Sequence, residues 1–455
     1  MRHILLFFIV FITVKGFSQN KPVLYDFTEI PQSLMLNPGA DVTYKWHAGV
    51  PALSGISLAI GIKGFKMTDL FAKDGIDINT KLEKLIYSRT PNDHLFINQQ
   101  IELLNAGIRL PNEKDYLSFG FYEEFNFIGY YPKDFVIFGF DGNKEIGRVF
   151  NAESIKFKTD LVGVFHIGIN RRVSKTLVAG ARFKLYSSAG EIKSLKNTGL
   201  FFTTPGVDNI YKHTLQNINL SVQTAGFFNG TDYDENFYKH LFGKLFLGGN
   251  LGVGFDFGLT YKPNKQVKVT ASVQDLGFIK YTKMVTTASA KGNYTTEGIA
   301  LPTPIISGVN YFQKIIDGVK DGIVRDTIFD SYVTLRSPKI NASYAFSFGL
   351  PHLEECFKPL DDNPYRNQVG FQLYSVVLPK QPQIAATAFY YRRVNKYLRA
   401  KITYTVDSYT PSNVGLGFSS HFWNFNLYGS FNNLFSTDFY NSNYNAFQIG
   451  MNYIF

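Results

Sequence analysis

The chain has 455 residues and a formal net charge of +10, with only 18% charged residues but 44 Phe, 28 Tyr and 39 Gly. An ordinary soluble domain is roughly a quarter charged, and a mean hydropathy of −0.07 does not fit a helical membrane protein. Past the first residues there is no apolar run of roughly 18 residues, the length a membrane helix needs, and the single cysteine, Cys356, excludes an internal disulfide.

Arg2, the apolar run 4–14 and the small residues Gly16 and Ser18 predict a secretory signal peptide over 1–18, cut near Ser18-Gln19. Export argues against nucleic acid as the partner of the excess Lys and Arg. Residues 19–51 read as a segment outside the regular strands, either a lumen plug or a periplasmic tail. Within it, Asn37-Pro38 favours a turn and Gly39 lets backbone approach backbone.

From 52 to 455 the pattern is that of strands. The stretch 67–89 carries helical periodicity inside a long loop. Strands follow at 95–109 and 116–129, then a long loop at 132–151, then strands at 154–170 and 176–190. The stretches 191–204 and 210–226 alternate weakly around a turn at 205–209. The loop 227–244 spaces Asp232, Asp234 and Asn236 like the opening of a calcium loop, but Phe237 stands where the required Gly belongs, so no metal site is expected.

The clearest internal pattern lies at 247–281. Leu251, Val253, Phe255, Phe257, Leu259 and Tyr261 alternate with Asn250, Gly252, Gly254, Asp256, Gly258 and Thr260. Large apolar groups on one face and small or polar ones on the other fit a strand between lipid and a polar lumen. The lumen glycines leave room for something inside, such as a plug or a bent strand. At Asp275-Leu276-Gly277 the alternation slips, which predicts a bulge or the membrane exit. The region 284–337 reads as the longest irregular one, with a short helix near 311–324. Closely spaced strands then run to the end of the sequence.

The last strand places Phe447, Ile449, Met451, Tyr453 and Phe455 on one face. Its pattern of Gln448, Gly450, Tyr453 and Phe455 resembles the C-terminal signal by which outer-membrane barrels reach their insertion machinery. The expected fold is therefore all-β: a transmembrane antiparallel barrel of 14 to 16 strands, with a plug-like N-terminal segment and long extracellular loops. The direct count is 16. It falls to 14 if 191–226 is an outer hairpin. Counting back from the end puts the long insertions outside and the short turns, 205–209 among them, in the periplasm, as such barrels require.

Gly252-x-Gly254-x-Asp256-x-Gly258-x-x-Tyr261 followed by Asp275-Leu276-Gly277 resembles the central signature of PorP/SprF-type outer-membrane proteins and of a related uncharacterised barrel family of the Bacteroidota. Leu36-Asn37-Pro38-Gly39-Ala40 resembles an Asn-Pro-Ala element near the N-terminus of those families and of FadL-like channels. The resemblance favours 14 strands. It implies a non-enzymatic scaffold in the outer membrane, a subunit of an envelope machine for type IX secretion, adhesin attachment or barrel assembly. The implied partners are the bilayer, the insertion machinery and other outer-membrane or periplasmic proteins. The alternative is a FadL-like channel for a hydrophobic solute. That reading expects an apolar pocket behind the plug, and a lumen of polar side chains would count against it. No catalytic, cofactor or metal constellation is present: the eight His are scattered and no nucleophile elbow occurs. Inward-facing Asp256 is the one carboxylate to watch, its expected place being beside a Lys or Arg.

Overall fold

A computed structural model of the protein describes residues 21–229, 232–233, 235–297, 313–350, 364–410, 412–434 and 442–455. The signal-peptide stretch, Asp234 and Cys356 lie outside these. The barrel strands are β1 (Trp46–Gly49 and Gly55–Ile62), β2 (His94–Arg109), β3 (Asp115–Tyr130), β4 (Phe157–Arg172), β5 (Leu177–Ser194), β6 (Asn250–Tyr261) and β7 (Val267–Tyr281). They continue with β8 (Tyr332–Leu335 and Lys339–Phe348), β9 (Asn367–Val376), β10 (Gln383–Arg393), β11 (Leu398–Val406), β12 (Asn413–Phe422), β13 (Phe425–Asn432) and β14 (Tyr444–Ile454). Each pairs antiparallel with its neighbours, and β14 closes on both halves of β1, with Ile56 opposite Ile449 and His47 opposite Ile454.

Closure is what lets these strands sit in lipid, because a closed sheet leaves no unpaired backbone edge. The side-chain period of two then sorts residues between an apolar outer face and a largely polar inner one. Leu251, Phe255, Phe257 and Leu259 of β6 are exposed on the outer wall, whereas Asn250, Asp256 and Thr260 are buried in the lumen. In β14, Phe447 and Ile449 face out, and Gln448, Asn452 and Ile454 face in. The band continues round the wall through Ile167, Phe371 and Ile402. Near the chain end, Trp46 stacks on Tyr453 and Phe455 at 5.3 and 5.9 Å, the kind of aromatic cluster that sits at a membrane interface. A closed barrel with such a band is an integral outer-membrane protein.

The count is 14, not 16. Thr198–Pro205 and Tyr211–Ala225 form a hairpin outside the barrel; among the described residues it pairs with a barrel strand only where Glu191–Ser194 of β5 meets 222–225. Their intermediate exposure on both faces is that of a sheet in water, not of a wall between lipid and lumen. The turn 205–209 is therefore an extracellular tip and not a periplasmic turn. The hairpin is the middle of a five-stranded outer sheet with Val149–Asn151, Val285–Thr296 and Ile323–Ile328. Much of the region expected to be irregular is thus a sheet. Its Thr-rich first strand pairs with Tyr211–Ala225, and a helix at Gln313–Gly322 runs into its second, Ile323–Ile328.

Helices occupy the outer loops: α1 (Ser33–Leu36) is in the N-terminal segment, then α2 (Met67–Phe71), α3 (Ile78–Ser88), α4 (Lys133–Asp141), α5 (Phe237–Gly243) and α6 (Gln313–Gly322). The helix expected within 67–89 is α3, started by Asp77, whose side chain accepts from Asn79 N–H. The turn after α5 folds onto the outer wall, with Phe246 packed on Phe121 and Phe165 at 5.1 and 4.9 Å. The sheet also begins earlier than the alternation from 52 onward indicates. Trp46–Gly49 is paired, and a break at 50–54 bends β1.

An epitope inserted after Val207, which is 92% exposed, is expected to be stained by antibody on intact cells while the barrel keeps its heat-modifiable band. Staining only after the outer membrane is opened would place that hairpin tip in the periplasm and restore the 16-strand count.

Candidate functional site

The lumen is crossed by residues 21–44. Their first half leans on one wall: Val23 packs over Gly415 and Gly417 of β12, and Leu24, Phe27 and Ile30 cluster with Tyr428 of β13. Their second half lies on the opposite wall, against β4, β5 and β6. Such an irregular segment has no ladder to satisfy its carbonyls, so the wall must supply donors. Asn170 Nδ2 donates to Pro38 O and Ala40 O, both at 2.8 Å, and Thr260 Oγ1 to Gly39 O at 2.7 Å. Arg182 donates to Leu34 O and Met35 O, and Ser272 and Gln274 to Leu36 O. On the far side Gln372 and Lys401 donate to Tyr25 O. The plug is gripped by its backbone.

Glycine makes the approach possible. The Asn37-Pro38-Gly39 turn lies directly on the wall, so that a Cβ on Gly180 would meet Pro38 O, and one on Gly258 would meet Asn37 Oδ1. Asn37 itself accepts from Gly39 N at 2.9 Å and donates to Leu259 O at 3.3 Å. The other two motif glycines make room for wall side chains: Gly254 lies against Tyr186 and Gly252 against Ile279. Tyr261 is exposed at the periplasmic end of β6.

Asp256 lies at the centre of the lumen, fully buried. Asp275 bulges out of β7 with φ 59°, and its N–H donates to Asp256 Oδ1 at 2.7 Å. Leu276 then points to lipid, and Gly277 fits under Val253 O. The other oxygen of Asp256 meets Arg182 at 3.1 Å and Lys184 at 2.9 Å. From there opposite charges alternate. Lys184 reaches Asp275 at 2.7 Å, Lys339 joins Asp275 at 2.9 Å to Glu124 at 3.4 Å, and Arg336 joins Glu124 at 2.7 Å to Asp160 at 3.3 Å. Lys158, Glu191 and Lys193 extend the chain to the extracellular end of β5. Because Arg336 lies between the two halves of β8 and Lys339 opens the second, while Glu124 and Asp160 belong to β3 and β4, the chain of charges braces the barrel across its lumen. Removing one member of such a buried network leaves its partner uncompensated, at about 3–5 kcal/mol.

Sequence reading singled out Asp256 and Asp275 but not Arg182, Lys184, Glu124, Arg336, Lys339 or Asn170. The available signal was a charge at an inward position of a membrane-depth strand, as in Arg182-x-Lys184. Gln448 and Gly450, read as an assembly signal, also have lumen contacts. Gln448 donates to Tyr428 OH at 3.2 Å, and Gly450 lies under Ser54 O, which accepts from plug residue Gln32 at 2.8 Å. The neighbouring Asn452 exchanges two 2.9 Å hydrogen bonds with Gln32. Among the described residues no group of three His, Cys, Asp or Glu could hold a metal ion.

Three cavities follow the lumen. The outer one, about 80 Å³, has Phe96, Phe127, Val376, Leu378 and Tyr444 in its walls and Glu124, Asp160, Arg336 and Lys339 at its base. The middle one, about 50 Å³, shares Asn98, Glu124, Lys339 and Tyr374 with it and rests on Lys21, Met35 and Leu36 of the plug. Each has room for a few waters. The third is a vestibule of about 780 Å³ at the periplasmic mouth, whose lining includes Asp26, Glu29 and Asp41 of the same plug.

A family model matches residues 38–432, from the plug turn to β13. The chain belongs to DUF5723, a family of unknown function. This match by itself does not show the PorP/SprF-type identity that the motifs resemble. No curated protein matches the chain. Solved structures similar to it include the Ralstonia pickettii toluene transporter TbuX, at 12% identity and a TM-score of 0.41 over 97% of this chain and 98% of that one. A Pseudomonas aeruginosa FadL homologue is similar at 10% identity and a TM-score of 0.43, over 97% of both chains. The P. putida toluene transporter TodX is similar at 11% identity and a TM-score of 0.40, over 97% of this chain and 95% of that one.

Gly258→Val would drive a side chain into the plug turn. Overpacking of about 1–3 kcal/mol is expected, read as faster proteolysis of residues 21–44 in the assembled barrel, and protection equal to wild type would refute the seating described. A second expectation concerns pH. Burial pushes the Asp41 carboxyl up, but Lys262 and Arg172 outweigh it and hold it below the ordinary carboxylate range. A lowered folded value means that the tether is fully present above the ordinary value and is lost as pH falls through the lowered one. Protection of the plug from protease should therefore persist at mildly acidic pH and decline only under stronger acid, and Asp41→Asn should shrink that step, with Glu29 keeping the rest.

Proposed function

We propose that the protein is a gated outer-membrane channel for an amphipathic solute with an apolar body and an anionic head. The observation that carries this reading is the stacking of the cavities. The outer and middle chambers share four lining residues, and the same N-terminal segment forms the floor of the middle chamber and part of the wall of the vestibule. Displacing that segment joins the two sides. The polar middle of the lumen weighs against a purely hydrocarbon cargo. An amphiphile suits it better: the aromatic walls of the outer chamber take the body, and Arg336, Lys339 and Lys184 offer successive cations to the head. Each is already paired, so a passing anion exchanges partners and never meets a bare charge.

A second reading is a scaffold subunit of an envelope machine, of the type IX secretion kind that the PorP/SprF-type resemblance implies. What favours it is the outer sheet and its hairpin tip, where Val207, Ile210 and Val324 are exposed well beyond the barrel. Stoichiometric recovery of other envelope proteins with the tagged barrel in mild detergent would support that reading over the channel.

The channel reading is tested in planar bilayers and liposomes. The full chain should conduct poorly, deletion of residues 21–44 should raise conductance by about tenfold or more, and transfer of labelled dodecanoate should rise with it. Conductance and transfer both unchanged by the deletion would overturn the channel reading.

A further inference from the structure

The vestibule has a feature that passage alone does not require. Three plug carboxylates reach into it, and each is met by cations of the wall. Asp41 pairs with Lys262 and with Arg172 at 3.3 Å, Asp26 with Lys268 at 3.9 Å and Glu29 with Arg393 at 4.0 Å. Burial opposes ionisation of Glu29, yet Arg393 and Arg399 hold its carboxyl below the ordinary range. Asp26 also accepts from Ser343, and Glu29 from Tyr391. The plug is thus latched at its periplasmic side by carboxylates in cationic seats, in addition to the backbone grip deeper in the lumen.

Outside this paired ring stands a second set of cations. Lys114, Lys175 and Lys265 come from three successive periplasmic turns, β2–β3, β4–β5 and β6–β7, and line the same cavity. Among the described residues they pair with no carboxylate. Cations lining the vestibule outnumber carboxylates seven to three. The space of about 780 Å³ lies within the usual range for small-ligand sites, roughly 300–1,000 Å³. Its walls are inward faces and turn tips at the barrel mouth, so its occupant arrives in solution from the periplasm.

We propose that the periplasmic vestibule binds a small, multiply charged oxyanion, seated by Lys114, Lys175 and Lys265, in competition with the plug carboxylates Asp26, Glu29 and Asp41 for the inner cations. A polyanion in the vestibule supplies from outside what the three carboxylates supply from the plug. Binding therefore favours the unlatched plug, and the latched plug weakens binding, the two effects being one coupling seen from either side. The site goes beyond the channel reading, since an anion can bind there whether or not a solute crosses the barrel. A phosphate-bearing solute and a polycarboxylate share the required chemistry.

The test is calorimetric titration of the full detergent-solubilised chain with pyrophosphate and, separately, citrate. Saturable binding of at least one is expected, and its identity assigns the chemistry. The K114Q/K175Q/K265Q variant should bind about tenfold more weakly. The D26N/E29Q/D41N variant should bind several-fold more tightly, since the internal competitor is gone. If that variant fails to give a heat-modifiable barrel, D41N alone is read, with the same sign expected. Absence of saturable binding to wild type and to D41N, or affinity unmoved by the lysine changes, overturns the site. Affinity unmoved or lowered by loss of the plug carboxylates overturns the competition. Neither result depends on conductance, so failure here and failure of the channel reading are distinguishable.

Discussion

A sheet closed in lipid solves the problem of its edges and creates the problem of its inside. Every backbone group in the wall is paired by closure, but the inner face of 14 strands encloses a space that must be filled. Here that space is filled by peptide. Residues 21–44 bring carbonyls that have no ladder, and the wall answers with side-chain donors: Asn170, Arg182, Thr260, Ser272, Gln274 and Lys401. The polarity of the lumen follows from this need. So do the glycines at 180 and 258, which let one backbone lie on another.

The charged network has a related logic. Arg182 and Lys184 bring positive charge into a buried interior, where isolated charges are costly. Asp256 and Asp275 compensate them, and the compensation propagates through Lys339, Glu124, Arg336 and Asp160 until it reaches the outer chamber. The bulge at Asp275 belongs to this arrangement. It turns a second carboxylate inward and directs a backbone N–H at Asp256. One wall therefore positions the plug, compensates its own cations and braces strands that lie across the lumen from one another.

Dynamics and function meet at the two kinds of plug contact. The deep contacts are mainly hydrogen bonds to plug carbonyls, to which the Gln32 and Asn37 side chains add their own. The periplasmic contacts are carboxylates in cationic seats, which an anion in solution can contest. A segment held both ways can be loosened at its mouth-side latch without first losing its deep seat. On the channel reading proposed above, that ordering suits a gate opened from the periplasm.

Much of this was legible in the sequence. Alternation with period two in 250–261 and 444–454 determined which residues face lipid, because the pleat admits only two faces. The slipped register at Asp275 and the small residues at 252–258 announced a bulge and a space to be filled. Strand number was decided elsewhere. Nothing within 191–226 distinguishes a hairpin in water from one in the wall, since both alternate, and it is the pairing of 177–188 of β5 with β6 that leaves the hairpin only the extension at 191–194. The outer sheet escaped for the same reason: its strands gain their stability from partners far away in the chain. The lumen site was half visible. Asp256 is marked by its neighbours in sequence, but its partners Arg182 and Lys184, the donor Asn170 and the pairing of Gln32 with Asn452 are set by circumference and register. Local pattern fixes the face a side chain takes, and barrel closure alone decides which residues meet across the space inside.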